Sequence, residues 1–380
     1  MVQTWRLTFV CGLAASLLIY SLIVFQESVP RSVSMSAETC LMARVKQDES
    51  RDRPPTGSQR KLLLSSYMNS GSSFTGSLFG HRDDAFYFYE PLWTFGVFSY
   101  FRSPNTECDT LEDPTNCRNS TRVADLLEIL DDIYHCKFSS LGHIIVPSVH
   151  GRSSLSGTSW LSFHTCMKNR APKQECLKIL ETTCHNSAHV VTKVLRLTTW
   201  DLRSLLERNQ NLKVIHQFRN PFAIINSRSE TKGYPAKNFS LNADILCNKM
   251  KDDFQGVRTL KDTFPNRVKM IFYEDLKTDI ETKVRKLFDF VGMHFDRNAP
   301  KQLINVKIND ANSNITDMNK NRIKDNARWW RSYMSFRLYE QVLEKCTEVV
   351  RLLNITTFKN RAEMFQTNIP DLKLSEEMSI

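Results

Sequence analysis

Lys61-Leu62-Leu63-Leu64-Ser65-Ser66-Tyr67-Met68-Asn69-Ser70-Gly71-Ser72-Ser73-Phe74-Thr75-Gly76 joins a short apolar run to a turn rich in glycine and hydroxyls. The run has the length of one buried strand, and Ser73 to Gly80 reads as the opening of a helix. Strand, small-residue loop and helix N-terminus together make an anion cradle, because exposed backbone N–H groups and the helix dipole favour phosphate there. Gly71 and Gly76 have the separation of a Walker A loop. Ser77 and Leu78, however, stand where that motif needs Lys and Ser/Thr. This disfavours ATP bound in the usual P-loop manner, and the chain lacks the lysine that a P-loop kinase needs.

A second stretch offers a second anion grip. Leu212-Lys213-Val214-Ile215-His216-Gln217-Phe218-Arg219 reads as a mostly apolar strand and runs into Asn220-Pro221-Phe222, where Pro221 suits a first helical turn. Arg219 at the strand end and Ser227 two turns into that helix are placed to hold a separate phosphate. A strand-loop-helix for one phosphate and a strand-Arg-Pro-helix-Ser for another resembles the sulfotransferase superfamily. The donor of that superfamily, 3′-phosphoadenosine-5′-phosphosulfate (PAPS), carries a 5′-phosphosulfate and a 3′-phosphate.

Further runs narrow the resemblance. Phe86-Tyr87-Phe88-Tyr89-Glu90-Pro91-Leu92 is similar to a Phe-Tyr-x-x-Glu-Pro-Leu run of Golgi carbohydrate sulfotransferases. Val190 to Leu197 resembles that family's middle strand, Phe272-Tyr273-Glu274-Asp275-Leu276 its Tyr-Glu-Asp-Leu strand end, and Trp329-Trp330-Arg331 with Cys346 its C-terminal helix region. The similarity is to the galactose/N-acetylglucosamine/N-acetylgalactosamine 6-O-sulfotransferase group and spans roughly residues 60 to 355. It implies a P-loop-like sulfotransferase fold, PAPS as co-substrate with no metal, and a glycan or glycosaminoglycan acceptor sulfated at a sugar hydroxyl, C6 being the position expected.

The same resemblance implies the site. Asn69, Ser70, Gly71, Ser72, Ser73 and Phe74 would hold the 5′-phosphosulfate, and Arg219 and Ser227 the 3′-phosphate, Arg giving a fork of charged donors. Glu90 is the expected base, since a catalytic Glu occurs at a similar offset in the related tyrosylprotein sulfotransferases and a carboxylate beside an anionic donor gains basicity. The alternative for Glu90 is a structural role at the Pro91 turn, and for Lys193 and Arg196 a salt bridge in place of a site contact. The family usually has Arg, or Lys in cytosolic relatives, where this chain has Asn69. Asn donates a hydrogen bond without charge, so either another cation substitutes, His81 and Arg82 lying near in sequence, or turnover is slow, or the protein does not catalyse. Asn220 and Phe222 also replace the usual Asp and Arg. The rival function is a non-catalytic luminal protein that binds PAPS or glycan on a retained fold.

The remaining features give an address. Leu7 to Phe25 is uncharged and mainly apolar, long enough at about 1.5 Å per residue to nearly cross a ~30 Å hydrocarbon core. Arg6 precedes it and no convincing cleavage site follows, so the expectation is a Golgi signal-anchor of a single-pass type II membrane protein. Residues 1–6 are then a cytosolic tail, 7–25 the transmembrane segment, 26–59 a luminal stem, 60–355 the catalytic domain and 356–380 a tail. Asn119, Asn238, Asn314 and Asn354 open glycosylation sequons. Nine of the ten cysteines follow the membrane segment, and most should pair in an oxidising lumen. Cys108 with Cys117, Cys166 with Cys176 or Cys184, and Cys247 with Cys346 are open pairings. An odd number leaves at least one thiol free or intermolecular. The net charge of +10 suits a polyanionic donor, acidic glycans or an anionic membrane surface. No aromatic-basic repeat or zinc-ligand pattern supports nucleic acid.

Apolar runs at 61–67, 189–197, 212–219 and 267–273 are strand candidates. Helical patterns alternate with them at about 121–134, 201–208, 221–230, 240–262, 280–291 and 336–352, and the Ser/Gly-rich 150–160 stretch reads as a loop. The expected fold class is α/β, a mainly parallel central sheet with helices on both faces and ligands at the carboxyl ends of the strands.

Overall fold

The computed structural model describes residues 59–80, 82–96, 99–102, 107–110, 122–145, 156–231, 239–295 and 328–374. The expected membrane segment and stem, the Cys108–Cys117 pairing, His81 and the sequons at Asn119, Asn238 and Asn314 lie outside them. Among the described residues no helix is long and apolar enough to cross a membrane.

The chain runs β1 (Arg60–Ser65), α1 (Ser72–Gly80), β2 (Ala85–Tyr89), β3 (Ser99–Arg102), β4 (Glu107–Thr110), α2 (Val123–Tyr134), α3 (Leu161–Lys168), α4 (Lys173–His185) and β5 (His189–Val194). It continues through α5 (Arg203–Arg208), β6 (Leu212–Phe218), α6 (Pro221–Glu230), α7 (Phe239–Thr263), β7 (Val268–Phe272), α8 (Tyr273–Thr278) and α9 (Ile280–Val291). It closes with α10 (Trp330–Tyr333), α11 (Phe336–Leu352) and α12 (Arg361–Met364). The central sheet has the order β2-β5-β1-β6-β7, and all its pairings are parallel. β3 and β4 form a separate antiparallel pair.

Parallel strands covered on both faces need apolar residues at every position, which is why β1 reads Leu-Leu-Leu without alternation. Leu62, Leu63 and Leu64 are all fully buried. Burying each stabilises the fold by about 1.5–3 kcal/mol. Alternate residues feed two cores. Leu63, Phe86, Phe88, Val190, Val214 and Phe218 meet α2, α4, α6, α7 and α11. Leu62, Leu64, Tyr87, Val191, Ile215 and Ile271 meet α1, α8 and α9 on the other face. Helix α1 lies close on β2, since a Cβ on Gly80 would come within 2.2 Å of the Tyr87 ring.

All four strand candidates and the six alternating helices are present. Strand β2 is an addition, because Ala-Phe-Tyr-Phe-Tyr lacks period-two alternation when both faces are covered. Helices α3 and α4 are also additions, their patterns being short or polar. Cys166 pairs with Cys176, Cys247 pairs with Cys346 and joins α7 to α11, and Cys136 pairs with Cys184. The last bridge was not among the expected pairings and settles the choice left open for Cys166.

Candidate active site

The loop between β1 and α1 is held from beneath by Gln217, the penultimate residue of β6. Its Nε2 donates to the Ser70 carbonyl at 2.9 Å, its Oε1 accepts from Thr75 Oγ1 at 2.5 Å, and its carbonyl accepts from Ser66 Oγ at 2.7 Å. Ser70 is fully buried and turned inward, its hydroxyl 2.7 Å from that of Ser66 and its N–H on the Tyr67 carbonyl. Ser70 therefore fixes the loop from inside, while the first-turn N–H groups at Ser72 and Ser73 have no acceptor within their helix. Asn69 and Gly71 both turn through positive φ, at 65° and 82°. Asn tolerates that region better than most side chains. A Cβ at Gly71 would come within 2.4 Å of the Tyr273 ring, which walls the cradle.

The two anion motifs meet. Arg219 Nη1 donates to the Asn69 carbonyl at 2.7 Å, and Asn69 Nδ2 lies 3.3 Å from Ser227 Oγ and 3.0 Å from Thr231 Oγ1. The Arg219 guanidinium stands 5.0 Å from the Tyr273 ring centroid. Asn220 accepts from the Phe222 N–H and caps α6, with Pro221 in the first turn. Phe222 is core, stacked on Trp330 at 5.2 Å and against Tyr339 at 4.6 Å. The two departures at 220 and 222 thus serve helix start and packing. Behind them Glu274 Oε1 accepts from the Asn220 N–H at 3.0 Å, and burial pushes the Glu274 carboxyl up to about 7 against the opposing effect of Arg219.

Glu90 lies beyond the cradle at the end of β2, buried, with φ of 47°. Lys193 Nζ donates to Glu90 Oε1 at 2.8 Å and to Ser73 Oγ at 3.0 Å, and sits 3.8 Å from the Tyr89 ring centroid. Arg196 Nη1 donates to Glu90 Oε2 at 3.0 Å, and its Nε to the Gly96 carbonyl at 2.7 Å. Both cations are buried. Lys193 and Arg196 are therefore salt-bridge partners of Glu90, and Lys193 also connects Glu90 to the loop.

Arg82 does not replace the charge missing at Asn69. It follows the C-terminal end of α1, the far end from the cradle, and is committed to Asp84 through two bonds of 2.7 and 2.9 Å and to the His294 carbonyl. Gln217, which holds the loop, and Tyr273, which walls it, are residues to which the sequence reading gave no place in the site. A glutamine inside an otherwise apolar strand was the available signal for the first.

The two candidate anion motifs thus lie side by side at the carboxyl ends of adjacent strands β1 and β6 of a parallel α/β sheet, where such folds bind their ligands. A family model described as the sulfotransferase domain matches residues 59–354, and the chain belongs to that family. It is 24% identical over 340 residues to carbohydrate sulfotransferase 4 of Mus musculus, covering 80% of this chain and 83% of the relative. It is 24% identical over 354 residues to carbohydrate sulfotransferase 1 of Homo sapiens, covering 83% of each. Among solved structures, mouse sulfotransferase SULT7A1 complexed with PAP superposes with a TM-score of 0.39 at 12% identity, covering 78% of this chain and 86% of that one.

Proposed function

We propose that the chain transfers the sulfuryl group of PAPS to a sugar hydroxyl, at C6, of a glycan or glycosaminoglycan. Family membership and the names of the similar curated relatives support the reaction class and the sugar acceptor. The observation that carries the reading is the meeting of Asn69 with Arg219 and Ser227, flanked by Ser73, Lys193 and Glu90. The residues fit the donor: a positive-φ loop opening a helix suits the 5′-phosphosulfate, and Arg219 at the end of the next strand with Ser227 on the helix after it suits the 3′-phosphate. No group of three or more His, Cys, Asp or Glu that could hold a metal occurs among the described residues.

In the reaction the acceptor oxygen attacks sulfur, the bond from sulfur to the 5′-phosphate oxygen breaks, and the hydroxyl proton passes to Glu90. Lys193 couples the two ends. As Glu90 gains a proton its hold on Lys193 weakens, and the ammonium beside Ser73 turns to the oxygen on which charge develops. Lys193 thereby supplies the cation that Asn69 lacks. We place the protein in the Golgi membrane, type II, its catalytic domain luminal. The apolar Leu7–Phe25 stretch and the three disulfides among the described residues support this.

The second reading, a binding protein that has lost catalysis, is favoured only by Asn69. The test is a panel of chondroitin, keratan and N-acetylglucosamine- or galactose-terminated acceptors with labelled PAPS, followed by mapping of the sulfated carbon. Label at C6 of one sugar is expected. Label at another carbon corrects the position, and PAPS binding without transfer to any acceptor favours the binding protein.

A further inference from the structure

Among the described residues, Arg219 and Ser227 by themselves do not balance the charge of a 3′-phosphate. A phosphate monoester carries about −1.5 to −2 charges at neutral pH, and the pair supplies one positive charge. Lys277, in the last turn of α8, is placed to supply a second. Its Nζ lies 4.4 Å from the Phe74 ring centroid and 5.7 Å from that of Tyr273, the ring that Arg219 also faces at 5.0 Å. The cradle and both cations therefore share one aromatic wall, since Gly71 packs on the same ring. Lys277 is half-buried, and among the described residues it contacts aromatic faces and makes no hydrogen bond or ion pair. Burial lowers its ammonium pKa, and the charge of Arg219 lowers it further. Two like charges held together beside a backbone anion cradle are relieved by an anion between them.

Resting on the donor reading above, we infer that Lys277 and Arg219 form a two-cation clamp on the 3′-phosphate, so that Lys277 selects 3′-phosphorylated nucleotides. Lys277→Met keeps the apolar stem against Phe74 and removes the charge, while Lys277→Arg keeps the charge.

The test is calorimetric binding of adenosine 3′,5′-bisphosphate and of AMP to the full chain, with the unliganded melting temperature of each variant as a folding control. Losing one charge-assisted contact should weaken bisphosphate binding about 10- to 100-fold in Lys277→Met. AMP binding should stay within about twofold, and Lys277→Arg should recover most of the bisphosphate affinity. Unchanged bisphosphate affinity in Lys277→Met, or equal losses for both nucleotides, would overturn the clamp. A parent chain that binds the bisphosphate no better than AMP would overturn the donor reading itself.

Discussion

Glu90 has both carboxylate oxygens engaged by buried cations, an arrangement that holds it in one place but occupies it. In the proposed reaction it acts twice, as base and as anchor of Lys193. Glu90→Gln should therefore lower the transfer rate by at least about 100-fold, the scale of a lost general base, with bisphosphate binding retained. A rate within threefold of the parent, read in a labelled-PAPS assay, would leave Glu90 as the anchor of the Pro91 turn. Gly71 sits at φ 82° against Tyr273, so Gly71→Ala strains the loop and collides with its wall. It should cost about 1–3 kcal/mol in chemical denaturation and weaken nucleotide binding. Glu274 is protonated in the folded chain up to about pH 7, whereas the unfolded carboxyl ionises near 4.5. The unfolded state thus holds fewer protons between these values, and this residue's contribution to stability falls as pH rises through that window. Glu274→Gln keeps the acceptor for the Asn220 N–H, so its melting temperature relative to the parent should rise from pH 5 to pH 8.

At the scale of elements, the sequence showed those strands and helices whose patterns are local. The loop after β1 and the Arg-Asn-Pro start of α6 were legible because backbone geometry and capping demand particular residues there. What could not be read was which groups turn inward. Ser70 and Ser73 look alike in sequence, yet Ser70 is buried beneath the loop and Ser73 reaches Lys193. That difference depends on Gln217 of a strand far along the chain. Likewise the Cys136–Cys184 bridge joins the end of α2 to α4, a proximity no spacing rule reveals. The Cys247–Cys346 bridge closes a separation of 99 residues. Removing it with paired serines should cost about 2–4 kcal/mol, measured by denaturant unfolding.

For the whole molecule, acid should act through histidines buried as neutral rings. His216, between Tyr67 and Phe218, and His189 are both pushed by burial from 6.5 down to about 4. Unfolding frees them to take up protons below about pH 6.5, so their contribution to stability is present above that pH and is lost as pH falls toward 4. The His216→Gln variant should show a shallower loss of melting temperature over that range. Part of the basic excess of the chain lies around the loop and Glu90, where Lys193, Arg196, Arg219 and Lys277 contact Ser73, Glu90, the Asn69 carbonyl and the Phe74 ring. In the proposed reaction these cations support transfer although Asn69 carries no charge. Sulfate transfer from labelled PAPS by the full chain, purified from animal cells, beside Lys193→Met and Asn69→Arg variants, decides whether they do. Transfer by the parent, abolished in Lys193→Met, is the predicted result. A silent parent with an active Asn69→Arg would contradict it, showing a sulfotransferase fold whose catalytic cation has been lost.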